Sequence, residues 1–234
     1  MSEVEPSMKL DLERIIFIGR TFEEYMDMFS LSTDDLKEKK ILDCPAGACS
    51  FTANGNHVGL NITACDIAYY HRGIDLKNKG HQDIEHAMTH MKLANNNYVW
   101  DYFKDIEALR SQRLRALNDC SADMIINKER YIPVTLPTLP FQSGEFDVIL
   151  SAHFLFMYGD RLDYNFHLAT LNELIRVTRN EIRIFPLVTL EGKRYEYLDQ
   201  LKEIVKEKGY SVEEKVVSYE FQKNANSMMI IKKF

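Results

Sequence analysis

Little in this sequence points away from an ordinary globular protein. No window approaches the roughly 18 uninterrupted apolar residues of a membrane span. The first residues, Met1 to Leu10, are polar and acidic and lack the apolar stretch of a signal peptide. Positive charge is short as well. The 29 Lys and Arg against 35 Asp and Glu leave a net charge of −6, which disfavours a protein that grips nucleic-acid phosphates over a broad surface. Four cysteines occur, Cys44, Cys49, Cys65 and Cys120, without the paired spacing of a metal site. Cys44 and Cys65 fall inside predicted strands, where a thiol behaves as a small hydrophobe. Internal repeats and low-complexity tracts are missing too. Together these absences predict a reduced, cytoplasmic protein with no membrane and no nucleic-acid partner.

What is present suits a single α/β domain. The 234 residues, 45% apolar and 27% charged, are enough to bury a sizeable core. The richest stretch is Lys40-Ile41-Leu42-Asp43-Cys44-Pro45-Ala46-Gly47-Ala48-Cys49-Ser50-Phe51. An apolar run ends in an acid, a turn of small residues follows, and a helix begins. Small residues there let backbone come close to a nucleotide-like ligand. A second run, Asn61 to Asp66, also ends in an acid. Strand, small-residue turn, helix, and strand ending in Asp is how a Rossmann-like sheet holds a ribose.

The rest of the chain organises around that unit. Thr21-Phe22-Glu23-Glu24 has the pattern of a capping box and opens a helix through Phe29. Ser32 starts another before the strand at Lys40. This N-terminal segment, residues 1–38, is expected to pack over the functional edge of the sheet. Residues 68–130 are charged and mostly helical in period, with a loop at Asn95-Asn96-Asn97. That is more chain than one crossover helix needs, so it is expected to be an insertion, a candidate lid or cap. Arg110, Arg113 and Arg115 within it are expected to form a solvated helix face. His86 and His90 share a helix face at a spacing that can bind metal, but without the Glu such a site needs they predict a solvated helix and no metal. Strands are predicted at Tyr131–Val134, Phe146–Ser151, Glu181–Phe185, Val212–Ser218 and Ser227–Lys232. Helices are predicted around Leu168 to Ile175 and over Tyr197–Lys208, the latter stopped by Gly209. Alternating strands and helices imply a mostly parallel sheet, and the last two strands imply an antiparallel edge.

Several of these pieces resemble the class I S-adenosylmethionine-dependent methyltransferases over nearly the whole chain, 1–234, as one domain. They are Leu42-Asp43-Cys44-Pro45-Ala46-Gly47-Ala48, Asp66, Leu139-Pro140-Phe141 and Phe146-Asp147-Val148-Ile149-Leu150. The chain is more closely similar to an uncharacterised microbial subgroup. The shared pieces there include Gly19-Arg20-Thr21, His153-Phe154-Leu155-Phe156, Arg183-Ile184-Phe185-Pro186 and Tyr219-Glu220-Phe221-Gln222. The resemblance implies a seven-stranded, mostly parallel Rossmann-like sheet with helices on both faces. It also implies S-adenosylmethionine as cofactor and methyl transfer to a small-molecule acceptor.

Site roles follow from the resemblance. Pro45, Ala46 and Gly47 would lie along the cofactor, with Asp43 accepting from backbone or from the cofactor's ammonium, directly or through water. Asp66 would offer two oxygens to the ribose hydroxyls, with Ile67 beside it. Arg20 would pair with the cofactor carboxylate and Tyr25, one turn on, would close over it. Ser151, Ala152 and His153 leave a strand at its carboxyl end, where such sheets bind ligands. His153 is the candidate base if one is needed, and Tyr158 would orient the acceptor. Two departures stand out. Pro45 and Cys49 replace glycines of the usual motif, and Thr135 stands where an acid often binds adenine, so backbone at Thr135 and Leu136 is expected to substitute. Two rivals remain: a non-catalytic cofactor-binding sensor or scaffold, and a nicotinamide-dependent oxidoreductase. The second would read Pro45, Gly47 and Ser50 as its Gly-x-Gly-x-x-Gly fingerprint, one glycine of three.

Overall fold

The computed structural model describes residues 16–233, so the polar stretch Met1 to Leu10 lies outside it. Two short helices come first, α1 (Phe22–Met28) and α2 (Thr33–Leu36). Each is opened by a complete capping box, Thr21 with Glu24 and Ser32 with Asp35. Then follow β1 (Lys40–Asp43), α3 (Phe51–His57) and β2 (Asn61–Asp66). Two 21-residue helices, α4 (Gly73–Leu93) and α5 (Ile106–Ile126), lead to β3 (Tyr131–Pro133). The second half holds β4 (Phe146–Ala152), α6 (Tyr164–Val177), β5 (Thr178–Phe185), α7 (Leu198–Glu207), β6 (Ser211–Val216) and β7 (Ser227–Lys232).

The seven strands form one sheet in the order β3-β2-β1-β4-β5-β7-β6. Pairings from β3 through β5 are parallel, while β7 runs antiparallel to both β5 and β6. This is the sheet that the alternating pattern and the resemblance predict. Cys44 lies one residue past β1 rather than within it, although its N–H still donates to the Leu150 carbonyl at 2.9 Å.

Strand alternation divides the core in two. Ile41, Val148, Leu150 and Ile230 face a cluster built with α1, α3, α4 and α5. Leu42, Ile149, Met229 and Ile231 face the other, built with α6 and α7. Both long helices of 68–130 belong to the first cluster, through Leu76, Ile84 and Met88 of α4 and Leu109, Leu117 and Cys120 of α5. The arginines of α5 do not share one solvated face. Arg110 and Arg115 are surface residues paired with Glu85 and Glu23, but Arg113 is only 2% exposed and meets Glu24, itself 1% exposed, at 2.6 Å. A charge on the inner side of a core helix is retained because its partner is buried with it. No described helix is long and apolar enough to cross a membrane.

Candidate functional site

The loop after β1 is fixed by its own backbone. Ala46 N–H donates to the Cys65 carbonyl at 3.0 Å and Cys49 N–H to the Ala46 carbonyl at 3.1 Å. Gly47 adopts φ +54°, a left-handed conformation that favours glycine. Its N–H donates to Asp66 Oδ2 at 2.8 Å, and its carbonyl accepts from the Tyr69 hydroxyl at 2.8 Å. A Cβ on Gly47 would find nothing nearer than Asp66 Oδ2 at 4.0 Å, so open space lies in front of it. The other Asp66 oxygen, Oδ1, accepts from Ala68 N–H at 2.8 Å and caps the 3-10 turn that begins at Ile67. Burial raises the Asp66 carboxyl above its ordinary value, against the pull of these two N–H donors. Both oxygens, expected to be free for a ribose, therefore already hold one backbone bond each. An ionised carboxylate has about four acceptor positions, so each oxygen keeps one more.

The chain just before α1 is pressed onto this loop. A Cβ on Gly19 would stand 1.9 Å from the Ala48 carbonyl oxygen, which leaves glycine as the residue that fits. On either side, Arg20 N–H donates to Cys49 Sγ at 3.2 Å and Ser50 N–H to the Arg20 carbonyl at 2.9 Å. Gly19-Arg20-Thr21 thus has three physical tasks: close approach, delivery of a guanidinium, and capping of α1.

A cavity of about 260 Å³ opens at the carboxyl ends of β1, β2 and β4. It brings together Arg20, Pro45, Ala46, Gly47, Asp66, Ala152, His153 and Tyr158 from the expected set. Arg20 Nε is buried without a hydrogen-bond partner. Among the described residues no carboxylate pairs with it, since nearby Glu23 and Glu24 pair with Arg115 and Arg113. His153 follows β4 with φ +53°, a region in which histidine is among the enriched non-glycine residues. Its N–H donates to the Phe185 carbonyl at 2.7 Å, and its Nδ1 has no partner. Burial, then the charges of Arg20 and Arg113, hold its imidazole well below the usual histidine range. Burial likewise raises the Tyr158 phenol.

Other expected residues lie elsewhere. Tyr25 does not close over the cavity. It is fully buried, stacked on Phe51 at 4.7 Å, and its hydroxyl donates to Asp43 Oδ1 at 3.0 Å. Asp43 is also fully buried behind the loop, with Oδ2 unpartnered, and does not line the cavity. Burial pushes its carboxyl well above the usual range, against the Tyr25 hydrogen bond and with help from Asp66. Ser151 points to the opposite face of β4 from Ala152, as strand alternation requires. Ile67 lies in the turn behind Asp66 and also stays outside the cavity wall. Thr135 and Leu136 are outside it too, because a Thr135–Thr138 bridge closes a turn there that exposes Thr135 and packs Leu136 against the α6–α7 core.

Sequence reasoning missed the remaining wall. Arg113 lines the cavity, and Glu24 behind it also accepts from Thr21 N–H at 2.9 Å and from the Tyr219 hydroxyl at 2.9 Å. Ala87, Met88 and Met91 of α4 form an apolar side, joined by Tyr98 stacked on Phe221 at 4.8 Å. Gln222 lines it as well, but its amide is spent on the carbonyls of Thr189 and Leu190. Spacing of Ile84, Met88 and Met91 marks one face of α4, which was the available signal for this wall. His86 and His90 are exposed on α4 with rings 4.3 Å apart, and no cluster of three metal-type ligands occurs among the described residues.

Comparison with known proteins extends this picture. No family model matches the chain. It is 36% identical over 225 residues to the uncharacterized protein MJ0045 of Methanocaldococcus jannaschii, a match spanning 96% of this chain and 99% of that one. Among solved structures it is similar to magnesium protoporphyrin IX methyltransferase from Synechocystis PCC 6803 with bound SAH. That match has TM-score 0.50 and 10% identity and covers 91% of this chain and 83% of the other. At such identity the likeness is one of fold. The chain belongs to the family of the Methanocaldococcus protein, built on the class I S-adenosylmethionine-dependent methyltransferase fold.

Proposed function

We infer that the chain binds S-adenosylmethionine in this cavity and transfers its methyl group to a small-molecule acceptor. One observation carries the reading: Arg20, whose buried Nε has no hydrogen-bond partner among the described residues, stands in the same cavity as the Gly47 turn and the Asp66 carboxylate. The residues fit the cofactor. Arg20 suits its carboxylate, the open face of Gly47 leaves room for its backbone-like part, and the spare acceptor positions of Asp66 suit vicinal hydroxyls. Asp43, shut behind the loop, does not fit the ammonium and braces Tyr25 instead.

When bound, S-adenosylmethionine supplies a methyl already activated by its sulfonium. What is left to the protein is alignment and exclusion of water. Tyr158, Ala152 and His153 at the end of β4 support catalysis over a sensor role, because the cavity stays open beside them and is not filled by α4 side chains. The single glycine of a nicotinamide fingerprint supports the methyltransferase reading over an oxidoreductase.

Calorimetry with S-adenosylhomocysteine tests the proposal. Wild type binds, and Asp66→Ala binds at least about tenfold more weakly, the loss of roughly 1.4 kcal/mol expected from one or two ribose contacts. Absence of binding by wild type removes the reading. Labelled cofactor incubated with small-molecule extracts then identifies the acceptor.

A further inference from the structure

The side of the cavity beyond His153 has a distinct chemistry. Among the described residues three permanently charged or acidic groups face the cavity: Arg20, Arg113 and Asp66. Asp66 is at the end of β2, tied to the Gly47 turn. Around His153 the neighbouring charges are the two arginines. Glu24 is behind Arg113 and outside the lining. Only one hydrogen bond, from Nη1, joins Arg113 to Glu24, and a guanidinium has five N–H donors. Much of the remaining lining is apolar: Met88 and Met91 from α4, the Tyr98–Phe221 stack, Phe154 and Met157.

Among the described residues no strong base faces this space. His153 is held neutral by burial and by both arginines, and is a weak proton acceptor at neutral pH. The Tyr98 and Tyr158 phenols are kept protonated by burial. An acceptor that had to lose a proton on the enzyme would find little help.

We propose that the methyl acceptor enters already ionised, as an oxyanion on a flat apolar frame, its charge toward Arg113 and its frame against Met88, Met91 and the Tyr98–Phe221 stack. This rests on the cofactor reading above. A lone pair of the oxyanion forms the O–CH3 bond as the methyl–sulfur bond breaks, and that bonding pair stays on sulfur. Anion and sulfonium become a neutral ester or ether and a neutral thioether, and no proton moves. A cavity lined this way favours such a step, since opposite charges cancel in a poorly solvated space.

The test uses the full chain saturated with S-adenosylhomocysteine and three matched probes: 2-naphthoate, 2-naphthylmethanol and 2-naphthylmethylamine. Naphthoate is expected to bind at least tenfold more tightly than either isostere. Met91→Glu, which adds a carboxylate to the apolar wall, should weaken naphthoate at least tenfold and strengthen the amine, a reversal that loss of structure would not produce. Equal binding, preference for the alcohol or amine, or no naphthoate binding overturns the proposal while leaving the cofactor reading intact. Failure to bind S-adenosylhomocysteine removes both.

Discussion

The two walls of the cavity treat their polar groups in opposite ways. On the Gly47–Asp66 wall the polar groups of the turn are held by the fold itself. Gly47 N–H, its carbonyl and both Asp66 oxygens have internal partners. On the Arg20–His153 wall the polar atoms are left over, Arg20 Nε and His153 Nδ1 having no partner. Internal bonds fix a shape before any ligand arrives, whereas orphaned buried groups carry a cost that a ligand relieves. One wall is a mould and the other a set of open contacts. Changes on the first should act on stability as well as binding, and changes on the second on binding alone.

The largest expected effect is structural and comes from the pair of Arg113, in the cavity wall, with Glu24 behind it. Arg113→Met leaves Glu24 charged and alone in the core, a loss of about 3–5 kcal/mol by denaturant unfolding. Glu24→Gln in the same chain should recover part of it. A double variant no more stable than the single one would show that the pair is not the reason. Glu24 also gives this effect a pH signature. Burial opposes its ionisation, but Arg113 prevails and holds its carboxyl below the usual range. The pair's stability is therefore full above about pH 4.3, the ordinary glutamate value, and fades as pH falls through the lower folded value.

Next comes Gly19→Ala. The added methyl meets main chain rather than a movable side chain, so the penalty belongs at or above the upper end of the roughly 1–3 kcal/mol of ordinary overpacking. Thermal unfolding measures it, and a loss under about 0.5 kcal/mol would show that the segment before α1 is not clamped to the loop.

Arg20→Gln sharpens the contrast. Cofactor affinity should fall about tenfold or more, the value of a charge-assisted contact, with the unfolding midpoint nearly unchanged. If stability fell and binding did not, the open-wall reading would be wrong. The smallest effect is Asp43→Asn, which keeps an acceptor for Tyr25 and should change stability by about 1 kcal/mol or less at pH 5. The Asp43 carboxyl is raised on folding, so its contribution is complete below about pH 3.9 and declines as pH climbs through the folded value. Asn has no such decline, so the variant should gain on wild type toward neutral pH in a melting-temperature series.

This contrast also divides what the sequence disclosed from what it hid. Local devices were readable: the Thr21–Glu24 capping box, the helix start at Ser32, the Gly47 turn, the strand ends at Asp43 and Asp66, and Gly209 closing α7 with φ +86°. Strands were readable because burial on both faces leaves continuous apolar runs. Pairings between distant residues were not. Arg113 meets Glu24 across 89 positions; helical spacing sets it on the face of Leu109, Ala116, Leu117 and Cys120, apart from Arg110 and Arg115, but does not name its partner. The position of Tyr25, five residues past Arg20, points to a ligand, yet Asp43 claims its hydroxyl. Asp66 was readable as an acid in the right place, but not as one whose oxygens already brace the turn.

All four thiols are buried, and they surround the mould: Cys44 and Cys49 flank the turn, Cys65 precedes Asp66, and Cys120 Sγ lies 3.9 Å from the Gly47 carbonyl. They amount to built-in reporters. Cys49 lines the cavity, but a thiol-modifying reagent would label Cys44, Cys65 and Cys120 only during moments when this region breathes, so their labelling rate times the loop's opening without any introduced probe. A tenant in the cavity should lengthen the interval between such moments, and the lengthening can be followed by mass alone.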